Sequence, residues 1–130
     1  MNSSKNGNHG GREFWTDGGC LFQDGSGRER LAYGSFFDGE SIRRFNFSDA
    51  RTSNEAEYRT LIALLASLAD CSAPIVYTDS KLMVRQLTRR WKVKATNLKP
   101  LHKFAKELMH SKRATLRWIP RERIVARLGH

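Results

Sequence analysis

Phe14-Trp15-Thr16-Asp17-Gly18-Gly19-Cys20 is the stretch around which the fold is predicted to form. Aromatic and β-branched residues lead into an aspartate, and small residues follow, which predicts a β-strand that another backbone segment approaches closely. An aspartate within a sheet is costly to bury unless a cation, a set of hydrogen-bond donors or a metal ion accompanies it. Asp17 is therefore the first candidate site residue.

The surrounding sequence predicts a sheet of five strands. These strands are expected over residues 13–22, 31–37, 42–47, 74–79 and 114–119. Asp38-Gly39 is a strong hairpin signal between the second and third strands, and the fourth is a short apolar run typical of a buried parallel strand. The predicted fold class is therefore α/β, a mixed sheet with three antiparallel strands followed by two parallel ones.

Helices are predicted to flank this sheet. They are expected over residues 53–70, 81–90, 98–110 and 120–128. Thr52 or Ser53 suits the N-cap of the first helix, Ser80 suits that of the second, and Gly129 would end the last one in a left-handed conformation. Leucines at helical spacing in the first helix predict that it packs one apolar face against the sheet.

The composition predicts one domain over residues 13–130, after a polar tail over residues 1–12 that is expected to be disordered. A net charge of +10, from 23 Lys and Arg against 13 Asp and Glu, favours a polyanionic partner such as nucleic acid; a merely soluble basic surface is the alternative. No apolar run suits a membrane span or a signal peptide. Cys20 and Cys71 lack metal-ligand spacing and suit reduced thiols, so a cytoplasmic protein is expected. It is also expected to be a monomer.

Three acids stand in settings that could bring them together. Asp17 and Asp79 each follow a threonine at or near the end of a strand, and Glu57 lies in the first turn of a helix expected to cross those strands. Carboxylates held so close repel one another unless a divalent cation is present, and oxygen ligands favour Mg²⁺ or Mn²⁺. Acids around two such ions suit phosphodiester cleavage, in which one ion activates water and the other stabilises the leaving oxygen. Taken singly, each acid also has an ordinary structural explanation as a turn, helix-start or N-cap residue.

Several motifs resemble those of type 1 ribonucleases H, in the short variant without the basic protrusion. They are Thr16-Asp17-Gly18-Gly19-Cys20, residues 52–58, Tyr77-Thr78-Asp79-Ser80, residues 92–101 and Trp118-Ile119-Pro120-Arg121-Glu122. The resemblance implies a ribonuclease H-like fold and an endonuclease that cuts the RNA strand of RNA/DNA hybrids, leaving 5′-phosphate ends. It also implies two Mg²⁺ or Mn²⁺ ions with substrate bound, held by Asp17, Glu57 and Asp79; Glu55 does not match the motif.

In that family the fourth acid is an Asp on the last helix, four residues after an Asn, and it is missing here because the matching positions are Ile124 and Leu128. Three acids could suffice, the ring or terminal carboxylate of His130 could replace the fourth, or the domain could bind hybrids without cutting them efficiently. His130 is accordingly a candidate catalytic and metal-binding residue, and a disordered terminal histidine is the alternative. The nuclease portion of a retroelement polymerase is a further, less favoured interpretation.

The resemblance also implies contacts with both strands. Residues expected to recognise RNA 2′-hydroxyls in the minor groove are Gly18, Gly19, Cys20, Gln23 and Asn54. Thr52 matches a residue that holds a DNA phosphate, and it is equally suitable as a simple N-cap. Trp91 would stack on a sugar of the DNA strand, or else form a hinge under the third helix. The cations expected beside it, on phosphates, are Arg85, Arg89, Arg90, Lys92 and Lys94.

Overall fold

A five-stranded mixed sheet organises the computed structural model, which describes residues 11–22, 30–48 and 50–129. The strands are β1 (Glu13–Phe22), β2 (Arg30–Phe37), β3 (Ile42–Phe47), β4 (Ile75–Thr78) and β5 (Thr115–Trp118). Their order across the sheet is β3-β2-β1-β4-β5, in which β1, β2 and β3 pair antiparallel while β4 is parallel to both β1 and β5. The predicted fold class is confirmed. Most of the predicted tail, together with Gln23 and His130, lies outside the described residues.

Four helices in the described part of the chain connect and cover these strands. They are α1 (Ser53–Ala66), α2 (Lys81–Thr88), α3 (Lys99–Lys112) and α4 (Arg121–Leu128). The side chains of Thr52 and Ser80 cap α1 and α2 as predicted, accepting hydrogen bonds from backbone N–H groups of the first turn. The predicted end of α1 near Asp70 is wrong, since the helix closes at Ser67, whose backbone N–H and hydroxyl both bond to Leu64 O.

The core lies on both faces of the sheet because successive strand residues point to opposite sides. Phe14 and Val76 belong to the main cluster, where they meet the leucines of α1 and apolar residues of α2 and α3. Their successors Trp15 and Tyr77 lie in a second cluster with Ile119 and the buried side of α4. The sheet therefore sits between three helices on one face and α4 on the other.

Within the described ranges, no helix has the length and apolar character needed to cross a membrane.

Candidate metal centre

The pairing of β1 with β4 brings two of the candidate acids side by side. In this parallel pair Trp15 is opposite Tyr77. Continuing the same register by two residues places Asp17 beside Asp79, which directly follows the end of β4. Asp17 is only 1% exposed. Adjacent strands are about 4.8 Å apart, so the two carboxylates are held close by the backbone itself.

Glu57 reaches the same place from α1, and Gly18 makes this possible. A Cβ at Gly18 would lie 2.7 Å from the carbonyl carbon of Ala56, so only glycine lets α1 come this close to β1. The backbone N–H of Gly18 in turn donates a hydrogen bond to the Glu57 carboxyl group. One carboxylate oxygen from each of Asp17, Glu57 and Asp79 lies within 4.8 Å of the others. The structure thus brings together the three acids expected from the sequence.

The electrostatics of this cluster suit a hard cation. Burial raises the pKa of Glu57 well above its ordinary value, and the neighbouring carboxylates of Asp79 and Asp17 raise it further. Glu57 Oε1 is buried and has no hydrogen-bond partner among the described residues. An unsatisfied buried carboxylate oxygen is costly unless something binds it. Among the described residues the cluster consists of three carboxylates with no softer ligand, and these donors fit Mg²⁺ or Mn²⁺.

Arg121, at the start of α4, is a site residue that the sequence reasoning did not single out. Its Nη1 lies 3.0 Å from Asp79 Oδ2 and 3.5 Å from Asp17 Oδ1. These contacts, led by the hydrogen bond to Asp79, raise the pKa of Arg121, so the guanidinium stays charged. The available signal was its place in Trp118-Ile119-Pro120-Arg121-Glu122, directly after a strand parallel to β4.

Trp118 is another neighbour of Asp79 that the sequence did not indicate. Trp118 Nε1 donates a hydrogen bond to Asp79 O across 3.2 Å. The ammonium group of Lys81, in the first turn of α2, lies 4.8 Å from the centre of the Trp118 ring. Trp118 is 41% exposed, so an indole and a lysine stand at the surface next to the acids.

The two positions on the last helix where the resemblance expects an Asn and the fourth acid do not face the metal centre. Ile124 and Leu128 are both fully buried in the cluster that contains Trp15 and Ile119. They fasten α4 to the sheet by apolar contacts. Gly129 adopts the predicted left-handed conformation, with φ +75°, and its N–H bonds to Val125 O. His130 lies outside the described residues.

The candidate substrate residues are those expected to contact the RNA strand and those expected to contact the DNA strand, and Thr52 is one of the latter. Thr52 caps α1 by accepting from Glu55 N, while Glu55 accepts from Arg51 N in return, so Glu55 has a capping role. Gly18, Gly19 and Cys20 lie on β1 beside the acids, and Asn54 is exposed at the start of α1. Trp91 is 50% exposed with the Arg85 guanidinium 4.8 Å from its ring centre, and Lys94 is exposed.

The comparisons with known proteins agree with this arrangement. The N-terminal RNase H domain of Rv2228c from Mycobacterium tuberculosis, solved as a fusion with maltose binding protein, is 28% identical with a TM-score of 0.65, covering 89% of this chain and 88% of that one. LC11-RNase H1, solved in complex with an RNA/DNA hybrid, is 25% identical with a TM-score of 0.67, covering 88% and 89%. RNase H1 from Halobacterium salinarum NRC-1 has the same fold, with 23% identity, a TM-score of 0.68 and 91% of each chain covered.

A curated relative, the bifunctional protein Rv2228c of Mycobacterium tuberculosis, is 43% identical over 75 residues. That match covers 55% of this chain and 21% of the relative, so the chain corresponds to a small part of that protein. The sequence model of the RNase H family matches residues 10–121, which include β1 with Asp17, α1 with Glu57, and Asp79. Because this match spans nearly all of the described fold and all three acids of the cluster, the chain belongs to the RNase H family.

Proposed function

We propose that the chain is a metal-dependent endoribonuclease that hydrolyses the RNA strand of RNA/DNA hybrids and leaves 5′-phosphate ends. The observation that supports this most is the cluster of Asp17, Glu57 and Asp79, whose oxygens lie within 4.8 Å of one another. Such a concentration of carboxylates is electrostatically unfavourable in isolation and suited to divalent cations. Membership of the RNase H family supports the choice of reaction.

Two Mg²⁺ or Mn²⁺ ions are the proposed cofactors, and Asp17, Glu57 and Asp79 would hold them. When bound, such ions supply Lewis-acid activation of water and stabilisation of the leaving oxygen. The chain buries Asp17 and Glu57, which lowers the local dielectric constant and strengthens their attraction to cations. Arg121 keeps its charged group at the surface beside these acids, where it is placed to bind a phosphate oxygen of the nucleic acid.

The substrate contacts expected from the sequence are retained in this proposal. Gly18, Gly19, Cys20 and Asn54, with Gln23 outside the described residues, are proposed to recognise RNA 2′-hydroxyls in the minor groove. The half-exposed Trp91 and the exposed Lys94 are proposed to meet the DNA strand, and Thr52 to add a phosphate contact to its capping role. The +10 charge should make binding strongly salt-dependent.

A hybrid-binding module without efficient cleavage is the second candidate function. It is favoured by one observation: Leu128 stands where the resemblance expects the fourth acid, and it is buried in an apolar cluster with Ile124. His130, by its ring or its terminal carboxylate, stays a proposed replacement for that acid. Comparing a version without His130 with His130→Ala would distinguish the two groups.

The deciding experiment is a cleavage assay on an end-labelled RNA/DNA hybrid with Mg²⁺ or Mn²⁺. The wild-type chain should cut the RNA strand, and Asp17→Asn and Glu57→Gln should each lower the rate by about a thousandfold or more. Glu55→Gln is the matched control, because it changes an acid on the same helix and keeps the oxygen that accepts from Arg51 N. Binding of the hybrid without cleavage by the wild-type chain would establish the second candidate instead. That the chain acts as a monomer in the cytoplasm stays a prediction, testable by light scattering and by fractionation.

A further inference from the structure

A basic and aromatic groove lies beside the metal centre, on the flank of α2. It encloses about 180 Å³ and is lined by Lys81, Val84, Arg85, Arg89 and Trp118. The three cations recur every fourth residue and so share one face of the helix. We call this the α2 groove. The sequence alone placed Arg85 and Arg89 in a general basic segment, whereas the structure puts them in one groove with Trp118.

The charge of the α2 groove suits a polyanion. From Lys81 to Lys106 the chain contains no Asp or Glu, but it contains nine Lys and Arg residues, namely Lys81, Arg85, Arg89, Arg90, Lys92, Lys94, Lys99, Lys103 and Lys106. Each cation near a phosphate chain releases bound counterions, which strengthens binding at low salt. Three of these cations, Lys81, Arg85 and Arg89, line the groove, and no acid is among its lining residues in the described part of the chain, so its charge suits phosphate groups.

The exposed tryptophans favour single-stranded nucleic acid over other polyanions. Trp118 is 41% exposed inside the groove, and Trp91 is 50% exposed directly beside it. Each ring has a cation 4.8 Å from its centre, Lys81 for Trp118 and Arg85 for Trp91. Bases inside a duplex stack on one another, so an exposed indole that stacks on a base needs one that is unpaired or at the end of the duplex. Surfaces that bind single strands combine aromatic side chains, which stack on bases, with cations, which bind phosphates.

The α2 groove is continuous with the metal centre. Trp118 donates to Asp79 O, and Ser80, the next residue, caps the helix that forms the groove wall. The eight residues of α2 extend about 12 Å away from Asp79. A nucleic-acid strand that leaves the metal centre on this side would therefore enter the groove.

From these observations we propose that the α2 groove binds unpaired nucleotides that extend from the end of the hybrid. Lys81, Arg85 and Arg89 bind their phosphates, and Trp118 stacks on a base. This inference rests on the proposed hybrid-cleaving function, since it assumes that the paired part of the substrate lies over Asp17, Glu57 and Asp79. It adds a preference for hybrids with a single-stranded extension over blunt ones.

The test measures binding by fluorescence anisotropy in an Asp17→Asn background, which prevents cutting. Blunt RNA/DNA hybrid is compared with the same hybrid carrying an extension of about eight nucleotides, made of RNA or DNA and placed at either end. At least one extension should lower Kd by about tenfold, and the arms identify which strand the groove takes. Equal Kd values for blunt and all extended hybrids would overturn the inference.

Substitutions in the α2 groove test whether this groove causes the tighter binding of extended hybrids. Lys81→Ala should remove most of the gain from the extension and lower the salt slope by about 0.7, while leaving the Kd of the blunt hybrid unchanged. Arg85→Ala should likewise reduce the ratio of the blunt Kd to the extended Kd, because it removes a phosphate contact of the extension. Lys103→Ala, an exposed lysine on α3 outside the groove, is the matched control. Trp118→Phe should keep the gain and Trp118→Leu should lose it; both lack the bond to Asp79 O, so their difference isolates stacking.

Two other results separate a failure of this inference from a failure of the proposed function. If the groove variants weaken blunt and extended hybrids equally, the groove holds duplex and the inference is wrong. If the wild-type chain neither binds nor cuts the blunt hybrid, the proposed function itself fails. Circular dichroism and Tm establish that each variant is folded, and the ratio of the blunt Kd to the extended Kd of Arg85→Ala decides the question should Lys81→Ala not fold.

Discussion

Arg121 Nη1 and Asp79 Oδ2 form a hydrogen-bonded ion pair at 3.0 Å, although 42 residues separate them in the sequence. The same nitrogen is 3.5 Å from Asp17 Oδ1, so one guanidinium balances charge on two of the three acids. The Arg121 side chain is 58% exposed, which leaves it free to move when another cation approaches. Arg121 therefore neutralises part of the negative charge of the metal centre from its edge.

Replacing Arg121 should change metal affinity and stability in opposite directions. Arg121→Ala removes a positive charge that lies 3.0 Å from Asp79 and 3.5 Å from Asp17, so divalent cations should bind about three to tenfold more tightly. Without metal, the acids repel one another more strongly, and Tm should fall by a few degrees. Calorimetric titration with Mn²⁺ and thermal unfolding in chelator measure the two effects. Arg123→Ala, an exposed arginine on the same helix, is the control; weaker Mn²⁺ binding by Arg121→Ala would contradict the assignment.

The raised pKa of Glu57 predicts a pH-dependent loss of stability. The folded protein keeps the Glu57 proton at pH values where the unfolded chain, with an ordinary pKa of 4.5, has released it. Folding is then unaffected by this group below pH 4.5, and becomes progressively less favourable as the pH rises from 4.5 to the raised pKa.

Glu57→Gln should abolish this loss in metal-free buffer. Its Tm should match that of the wild-type chain near pH 4 and exceed it by about 4 °C near pH 7, which corresponds to about 1 kcal/mol at this chain length. Thermal unfolding between pH 4 and pH 8 in the presence of a chelator is the measurement. A Tm difference that does not grow with pH would show that Glu57 is ionised in the folded protein.

Restoring an acid at the last helix should not restore the family's usual site. Leu128 is 0% exposed and packs with Trp15 and Ile119, so Leu128→Asp buries a charge among apolar side chains. We expect Tm to fall by more than about 10 °C, with no gain in cleavage rate. Leu128→Ala separates the cavity from the charge and should cost about 2–5 kcal/mol. A folded and faster Leu128→Asp enzyme would show that α4 can turn this position towards the metal centre.

Gly18 should tolerate no side chain. A Cβ there would lie 2.7 Å from Ala56 C and 2.8 Å from Glu57 N, both of which are backbone atoms. Gly18→Ala should therefore push α1 from β1 and cost about 1–3 kcal/mol, and Mn²⁺ binding should weaken as Glu57 moves. Gly19→Ala is the matched control, because the atoms nearest to its Cβ would belong to the Tyr33 side chain and not to the backbone. Equal stability of the two variants would refute the close-approach argument.

Much of the fold followed from local patterns in the sequence. Alternation along the strands, the hairpin at Asp38-Gly39 and the caps at Thr52 and Ser80 all depend on residues within a few positions of one another. The same holds for the Gly-rich end of β1, which predicted a close backbone approach that α1 makes at Gly18. The candidate acids Asp17, Glu57 and Asp79 could be named for a related reason, since each occupies a recognisable place at a strand end or helix start.

Contacts between distant segments depended on sheet register and helix docking, which no short stretch of sequence specifies. The β1–β4 register put Asp17 beside Asp79, and the docking of α4 put Arg121 on both acids while turning Ile124 and Leu128 into the core. The raised pKa of Glu57 and the α2 groove with Trp118 arose in the same way. Burial and charge proximity are properties of the packed chain, because they are set by neighbours that the sequence places tens of residues away.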